Sequence, residues 1–246
     1  MKKIAVFVEG QTELIFVREM LLKCYAYQNV RIECYTLFSD GKFNSTDYSF
    51  PNKDAAVYYQ IINIGNDKKV LSSMLNREEY MFSANQAFDK IIGLRDMYSK
   101  EYREATNGTG IDLSVNQKFI ETYQKTIEER AQHPDRISFH FAIMETEAWF
   151  LAMDDLPARL DDQLTVAEIQ RKLDINLSKI DPETTVYKPA ELLHSIFALA
   201  GKSYTKKKAE VDTLLGNIKK EDFDRLNVND KCAAFTDFYA ALEINN

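Results

Sequence analysis

The chain has 246 residues, 45% hydrophobic and 28% charged, enough to fold without a partner as one large α/β domain or as a core with a helical appendage. Its 31 Lys and Arg against 38 Asp and Glu give a formal charge of −7, which opposes loose, sequence-independent binding to nucleic acid, because that depends on neutralising phosphates. Cys24, Cys34 and Cys232 are too widely spaced for a disulfide framework or a zinc pattern and read as reduced, space-filling thiols. The apolar stretches fall far short of the ~20 residues that span a bilayer, so no membrane partner is expected. Lys2-Lys3 leads into a strand interrupted by Glu9 rather than into a signal-peptide core, and a cytoplasmic location follows. No nucleophile elbow, phosphate-cradling lysine loop or dinucleotide glycine fingerprint is present, and His133, His140 and His194 give a nucleophile–histidine mechanism few candidates.

In chain order, Lys3 to Val8 is an apolar run that reads as a strand buried on both faces, closed by the turn Glu9-Gly10. Gln11 to Tyr27 carries Leu14, Ile15, Val17, Leu21 and Leu22 at helical spacing, and Arg31 to Phe38 alternates like a strand with one covered face. Ser39 to Asp54 is a loop or a two-stranded excursion, Tyr58 to Ile64 a strand, and Gly65-Asn66-Asp67 a turn leading into a helix through Leu71, Met74 and Leu75. A strand then ends at Asp96, and the polar segment Tyr98 to Ser114, with Asn107-Gly108-Thr109-Gly110, reads as a mobile loop. Val115 to Ala131 is helical, and Ile137 to Ile143 is a strand that runs through Met144-Glu145-Thr146-Glu147 into a helix from Ala148.

This β-α-β rhythm predicts an α/β fold with a mostly parallel sheet flanked by helices over residues 1–152. Residues 153–246 form a helical C-terminal subdomain across a soft boundary. Its candidate helices start at Leu164 and span Pro189 to Ala200, Lys206 to Ile218 and Cys232 to Leu242.

Three of the strands run into acids, at Glu9, Asp96 and Glu145-Thr146-Glu147. In an open parallel sheet the C-terminal strand ends are where ligands bind. Glu9 and Glu13 alone also fit a plainer reading, as turn and first-turn acids complementing a helix dipole. Acids at several strand ends favour a site for a hard divalent cation held through oxygen. Glu145 and Glu147, two residues apart, share a side only if the backbone is extended; in a helix they diverge, and one of them caps the helix at Ala148. His140 lies on the same strand, several residues before these acids, as a supporting candidate. Trp149 is either core filling or a base-stacking platform. The basic run Lys202 to Lys208 is either a solvated helix start or a phosphate contact.

Together, Val8-Glu9-Gly10-Gln11-Thr12-Glu13, the strand ending at Asp96 and Glu145-Thr146-Glu147-Ala148-Trp149-Phe150 resemble the Toprim-related proteins. The resemblance is nearest to a bacterial family of unknown function related to the Toprim half of the OLD (overcoming lysogenization defect) nucleases. It extends through Lys188-Pro189-Ala190-Glu191-Leu192-Leu193, Tyr204-Thr205-Lys206 and Lys231-Cys232-Ala233-Ala234-Phe235, and so over nearly the whole chain.

What the resemblance implies is a Toprim-like fold that binds Mg²⁺ or Mn²⁺ for phosphodiester chemistry on a nucleic acid substrate. Carried over, Glu9 is a metal ligand or acid/base, Glu13 a second ligand, Asp96 the ligand of an Asp-x-Asp motif, and Lys206 the phosphate contact. The second acid of that motif is replaced by Tyr98, and Glu145 or Glu147 is then the carboxylate to compensate, with catalytic work falling to Glu9, Asp96 and Glu145 and further metal binding to Glu147. A metal-dependent nuclease or related phosphoryl-transfer enzyme is the first expectation. The alternative is a noncatalytic Toprim-like adaptor that needs a protein partner in a bacterial or phage-defence assembly. A small-molecule phosphohydrolase is the third.

Overall fold

The computed structural model describes residues 1–38, 41–228 and 230–244. Its strands are β1 (Lys2–Val8), β2 (Val30–Leu37), β3 (Phe43–Ser45), β4 (Val57–Asn63), β5 (Lys90–Asp96) and β6 (Ile137–Ala142), in the order β3-β2-β4-β1-β5-β6. β1 pairs in parallel with β4 and β5, and β2 with β4, while the short β3 runs antiparallel along β2. The α/β class with a mostly parallel sheet is therefore as the sequence predicted. β1 and β4 are central, and all seven residues of β4 are buried, Gln60 and Asn63 included; burial on both faces is also why Ile4 to Val8 of β1 reads as a continuous apolar run rather than as alternation. β2 has one covered face and alternates accordingly.

The helices before β6 are α1 (Gln11–Cys24), α2 (Val70–Leu75), α3 (Glu78–Phe82), α4 (Lys100–Ala105) and α5 (Leu113–Arg130). After β6 come α6 (Glu147–Ala152), α7 (Leu156–Leu160), α8 (Val166–Leu173), α9 (Pro182–Thr185), α10 (Pro189–Ala198), α11 (Lys208–Gly216), α12 (Lys220–Val228) and α13 (Ala233–Ala241). Among the described residues no strand follows Ala142. None of these helices is long and apolar enough to cross a membrane.

The chain divides into two compact units that interleave in sequence. The sheet-bearing unit takes residues 1–95, 117–141 and 238–246, and the helical unit takes residues 96–116 and 142–237. In the sheet-bearing unit, Ala5, Phe7, Ile62, Val70, Met74 and Ile91 build one buried apolar cluster. Gly93 of β5 lets α2 and β6 close on the sheet, because a Cβ there would stand 2.5 Å from both the Met74 sulfur and the Phe139 ring. The residues 238–244 complete this unit: the Tyr59 hydroxyl donates to the Leu242 carbonyl at 2.8 Å, and Lys90 Nζ to the Ala241 carbonyl at 3.1 Å.

Several boundaries differ from those expected, each for a local reason. α1 stops at Cys24, three residues before Tyr27, because Ala26 and Tyr27 take left-handed backbone angles and the Tyr27 N–H closes back on the Leu22 carbonyl at 2.8 Å. The helix expected from Lys206 starts at Lys208, since Lys206 itself has φ +59°. The segment Tyr98 to Ser114 is corrected more deeply: instead of a mobile loop it contains α4, N-capped by the Ser99 side chain. It folds around Tyr102, which is fully buried, donates to Asn116 Oδ1 at 2.7 Å and accepts the Asp112 N–H at 2.9 Å. Residues 39 and 40, at the start of the excursion read before β4, lie outside the described residues; beyond them it is β3 plus a bridge between Ile32 and Phe50.

Candidate functional site

In the helical unit, the chain leaving β5 and the chain leaving β6 run side by side. The Met97 N–H donates to the Ala142 carbonyl at 2.9 Å and the Tyr98 N–H to the Met144 carbonyl at 2.8 Å. This pairing brings Asp96 to the start of α6, where Asp96 Oδ1 accepts the Thr146 N–H at 2.9 Å and its hydroxyl at 3.1 Å. Met144 turns the backbone with φ +61°, in the left-handed region rarely taken by a side-chain-bearing residue. The turn answers the geometric difficulty posed by Glu145 and Glu147. A continuous helix would aim the two carboxylates apart, whereas this strand-to-helix junction brings them together. Asp96, Glu145 and Glu147 each present an oxygen, and these oxygens lie within 4.8 Å of one another.

Lys206 enters the same space. Its ammonium is 2.9 Å from Glu147 Oε2, 3.0 Å from Glu145 Oε1 and 3.9 Å from Asp96 Oδ2. Burial alone would pull the Lys206 pKa down, but the charges of Glu147, Asp96 and Glu145 outweigh it and hold the ammonium protonated far above its ordinary range. Glu147 is wholly buried, and its other oxygen accepts the Tyr204 hydroxyl at 2.7 Å. Glu145 is half-buried, and its Oε2 accepts the N–H of Ala190 in the first turn of α10 at 2.9 Å, satisfying one of that helix's unpaired donors. The short motifs around Lys188 and Tyr204 thus converge on the carboxylates: one supplies Ala190, the other Tyr204 and Lys206.

The residues that could hold a metal here are Asp96, Glu145 and Glu147. Their donors are all carboxylate oxygens, which suits a hard divalent cation such as Mg²⁺ or Mn²⁺. Three carboxylates against one ammonium leave a formal charge of −2 on the constellation, and Glu147 Oε2 is out of reach of water. Such a group is costly to bury unless a cation stays with it.

Glu9 and Glu13 belong to the sheet-bearing unit. Glu9 follows β1, and its N–H donates to the Leu94 carbonyl at 3.2 Å. Glu13 lies in the first turn of α1, buried, with its carboxylate folded back over Gly10: a Cβ on Gly10 would stand 3.0 Å from Glu13 Oε2. His140, in the same unit, has Nε2 3.1 Å from the Ser138 hydroxyl and packs edge-on against Phe238; burial, with Lys90 adding to it, pulls its pKa down to about 4. Tyr98, standing where the motif's second acid would be, packs edge-on against Tyr187 beneath the Arg103 guanidinium.

Trp149 is core filling and not a stacking platform: it is fully buried, lies edge-on to Phe235 and donates from Nε1 to Glu183 Oε1 at 2.8 Å. Glu183 itself escaped the sequence reading. With Asp181 and Cys232 it forms a second close group of donor atoms. Its carboxylate accepts the N–H groups of Ala234 at 3.0 Å and Phe235 at 3.2 Å, in the first turn of α13, in addition to Trp149. Asp181 Oδ1 accepts the Cys232 N–H at 3.2 Å, and Lys231 Nζ reaches the Ser178 carbonyl at 2.7 Å. The segment Lys231 to Phe235 is therefore an anchor for α13. Thr146 and Tyr204 also went unassigned, although both stand inside motifs that the sequence displays.

Comparison with family models, with curated proteins and with solved structures returns no match to this chain.

Proposed function

We propose that the Asp96, Glu145, Glu147 and Lys206 constellation is the centre of a Mg²⁺- or Mn²⁺-dependent phosphoryl-transfer enzyme, with a nucleic acid phosphodiester as its substrate. The observation that carries this reading is the meeting of three carboxylates, one of them wholly buried, around a lysine at a strand-to-helix junction. The resemblance to Toprim-related nucleases supports it from the sequence, and its motifs supply all four residues. Asp96, Glu145 and Glu147 would hold a divalent ion, which would supply Lewis acidity toward a phosphoryl oxygen. The chain's own residues do the rest. Thr146 orients Asp96 through two hydrogen bonds, Tyr204 orients Glu147, the N–H of Ala190 fixes one oxygen of Glu145, and Lys206 offers an ammonium to a phosphate oxygen. Glu9 and Glu13, in the sheet-bearing unit, are metal ligands by the resemblance alone, and substitution tests them separately.

The experiment is cleavage of plasmid, single-stranded DNA and RNA with Mg²⁺, Mn²⁺ or chelator, comparing the parent with Asp96→Asn, Glu147→Gln and Glu9→Gln. Metal-dependent cutting that chelator abolishes, and that falls by about a hundredfold or more in Asp96→Asn, is the expected result. A second reading is favoured by the packing of Tyr98 against Tyr187 in place of an acid: a noncatalytic adaptor that keeps the site and acts only with a protein partner. Folded protein that cuts nothing under any of these conditions would move the conclusion to that adaptor.

A further inference from the structure

The side chain of Lys206 stands where a metal ligated by this site would itself draw its charge: its ammonium touches Glu145 and Glu147 and lies 3.9 Å from Asp96. We propose that Lys206 is a tethered cation that keeps the carboxylate site closed in the metal-free protein and is displaced when a divalent ion binds. The inference rests on the metal-binding reading given above and adds a regulation to it.

The segment bearing Lys206 is built for such an exchange. It lies between α10 and α11 with no regular structure over residues 202–207. The Glu210 carboxylate pins its backbone on both sides of Lys206, accepting the N–H of Thr205 at 2.6 Å and that of Lys207 at 3.2 Å. The backbone is thus held, and movement of the ammonium falls to the four-carbon stem of the lysine. The Lys206 side chain is 34% exposed whereas that of Glu147 is fully covered, so the ammonium has a way out and the carboxylate does not. Lys206 also lines a cavity of about 450 Å³ whose wall includes Glu191, His194, Ser195 and Thr205. That cavity gives the displaced ammonium room beside the Glu191 carboxylate, where it can still meet a phosphate group. Electrostatics gives the exchange its sense: a monovalent and a divalent cation compete for the same three carboxylates, and the divalent ion gains more from each of them. Removing the tethered competitor leaves the site more negative and empty of its own cation.

The test is a titration with Mn²⁺ alone, reading free Mn²⁺ by electron paramagnetic resonance, on the parent, Lys206→Met and Lys206→Gln. We expect both variants to bind about tenfold or more tightly than the parent. Where a variant fails to fold, the parent itself gives the answer through amine-reactive labelling followed by mass spectrometry, in which Lys206 is slow to react without Mn²⁺ and becomes faster on saturation. Equal or weaker binding by the variants, or labelling of Lys206 that saturating Mn²⁺ leaves unchanged, overturns the tethered-cation proposal while the metal site stands. Absence of Mn²⁺ binding to parent and variants alike overturns the metal site itself, and the proposal with it.

Discussion

Asp181, Glu183 and Cys232 gather their donor atoms as closely as Asp96, Glu145 and Glu147 do, and both groups lie in the helical unit. They differ in what neutralises them. Glu183 accepts N–H groups from Trp149, Ala234 and Phe235, all of them fixed by the fold, whereas Glu147 and Glu145, beside one donor each in Tyr204 and Ala190, share the ammonium of Lys206. Proximity of acids is therefore a poor guide to chemistry. An acid whose lone pairs all go to backbone and indole donors holds the fold together, and one that also shares a side-chain ammonium has a place that a cation can take. The thiol completing the first group points the same way, because burial pushes the Cys232 pKa far above its ordinary range and keeps it protonated.

The sharpest way to break this contrast is Glu183→Ala. It leaves three buried or part-buried N–H donors without their acceptor, and we expect about 4 kcal/mol of lost stability in denaturant unfolding, with Mn²⁺ binding unchanged in whatever fraction stays folded. A loss below about 1 kcal/mol would remove Glu183 from its structural role.

The next largest effect is on pH dependence. Burial pushes the Glu183 carboxyl up to about 7, against its N–H donors, which favour the charged form. The folded state therefore holds this proton more tightly than the unfolded chain. The resulting stability is full below about pH 4.5 and is lost as the pH rises through about 7, by about 3 kcal/mol in all. Unfolding midpoints across that window should fall with rising pH in the parent and flatten in Glu183→Gln; parallel curves would contradict the assignment.

Asp96→Asn should sit at the small end for stability, within about 1 kcal/mol, because Thr146 can still donate to the retained oxygen and a like charge beside Glu145 and Glu147 is relieved. Its cost should fall on metal affinity instead. An Asn variant that unfolds readily yet binds Mn²⁺ normally would reverse the comparison.

Much of the fold was legible where a strand keeps one burial rule along most of its length. β1, covered on both faces from Ile4 to Val8, is an uninterrupted apolar run there, and β2, covered on one, alternates. What escaped depends on single residues closing non-local contacts. Tyr102 organises a polar segment that looks like a loop, and only its hydrogen bonds to Asn116 and Asp112 reveal why the chain is ordered there. Asp96, Glu145, Glu147 and Lys206 could be nominated from strand ends and short motifs, but their meeting hangs on the left-handed turn at Met144, which no periodicity announces. Glu183 had no signal beyond an Asp-Pro helix start, since its partners come from residues 149, 234 and 235.

The return of residues 238–244 to the sheet-bearing unit sets an order on the chain's synthesis. Tyr59 and Lys90 wait for the carbonyls of Leu242 and Ala241, which leave the ribosome only after the whole stretch 142–237 has been made. A nascent chain arrested before residue 238 holds every strand of the sheet without the segment that covers it. Both sequence segments of the helical unit, by contrast, are synthesised before that point.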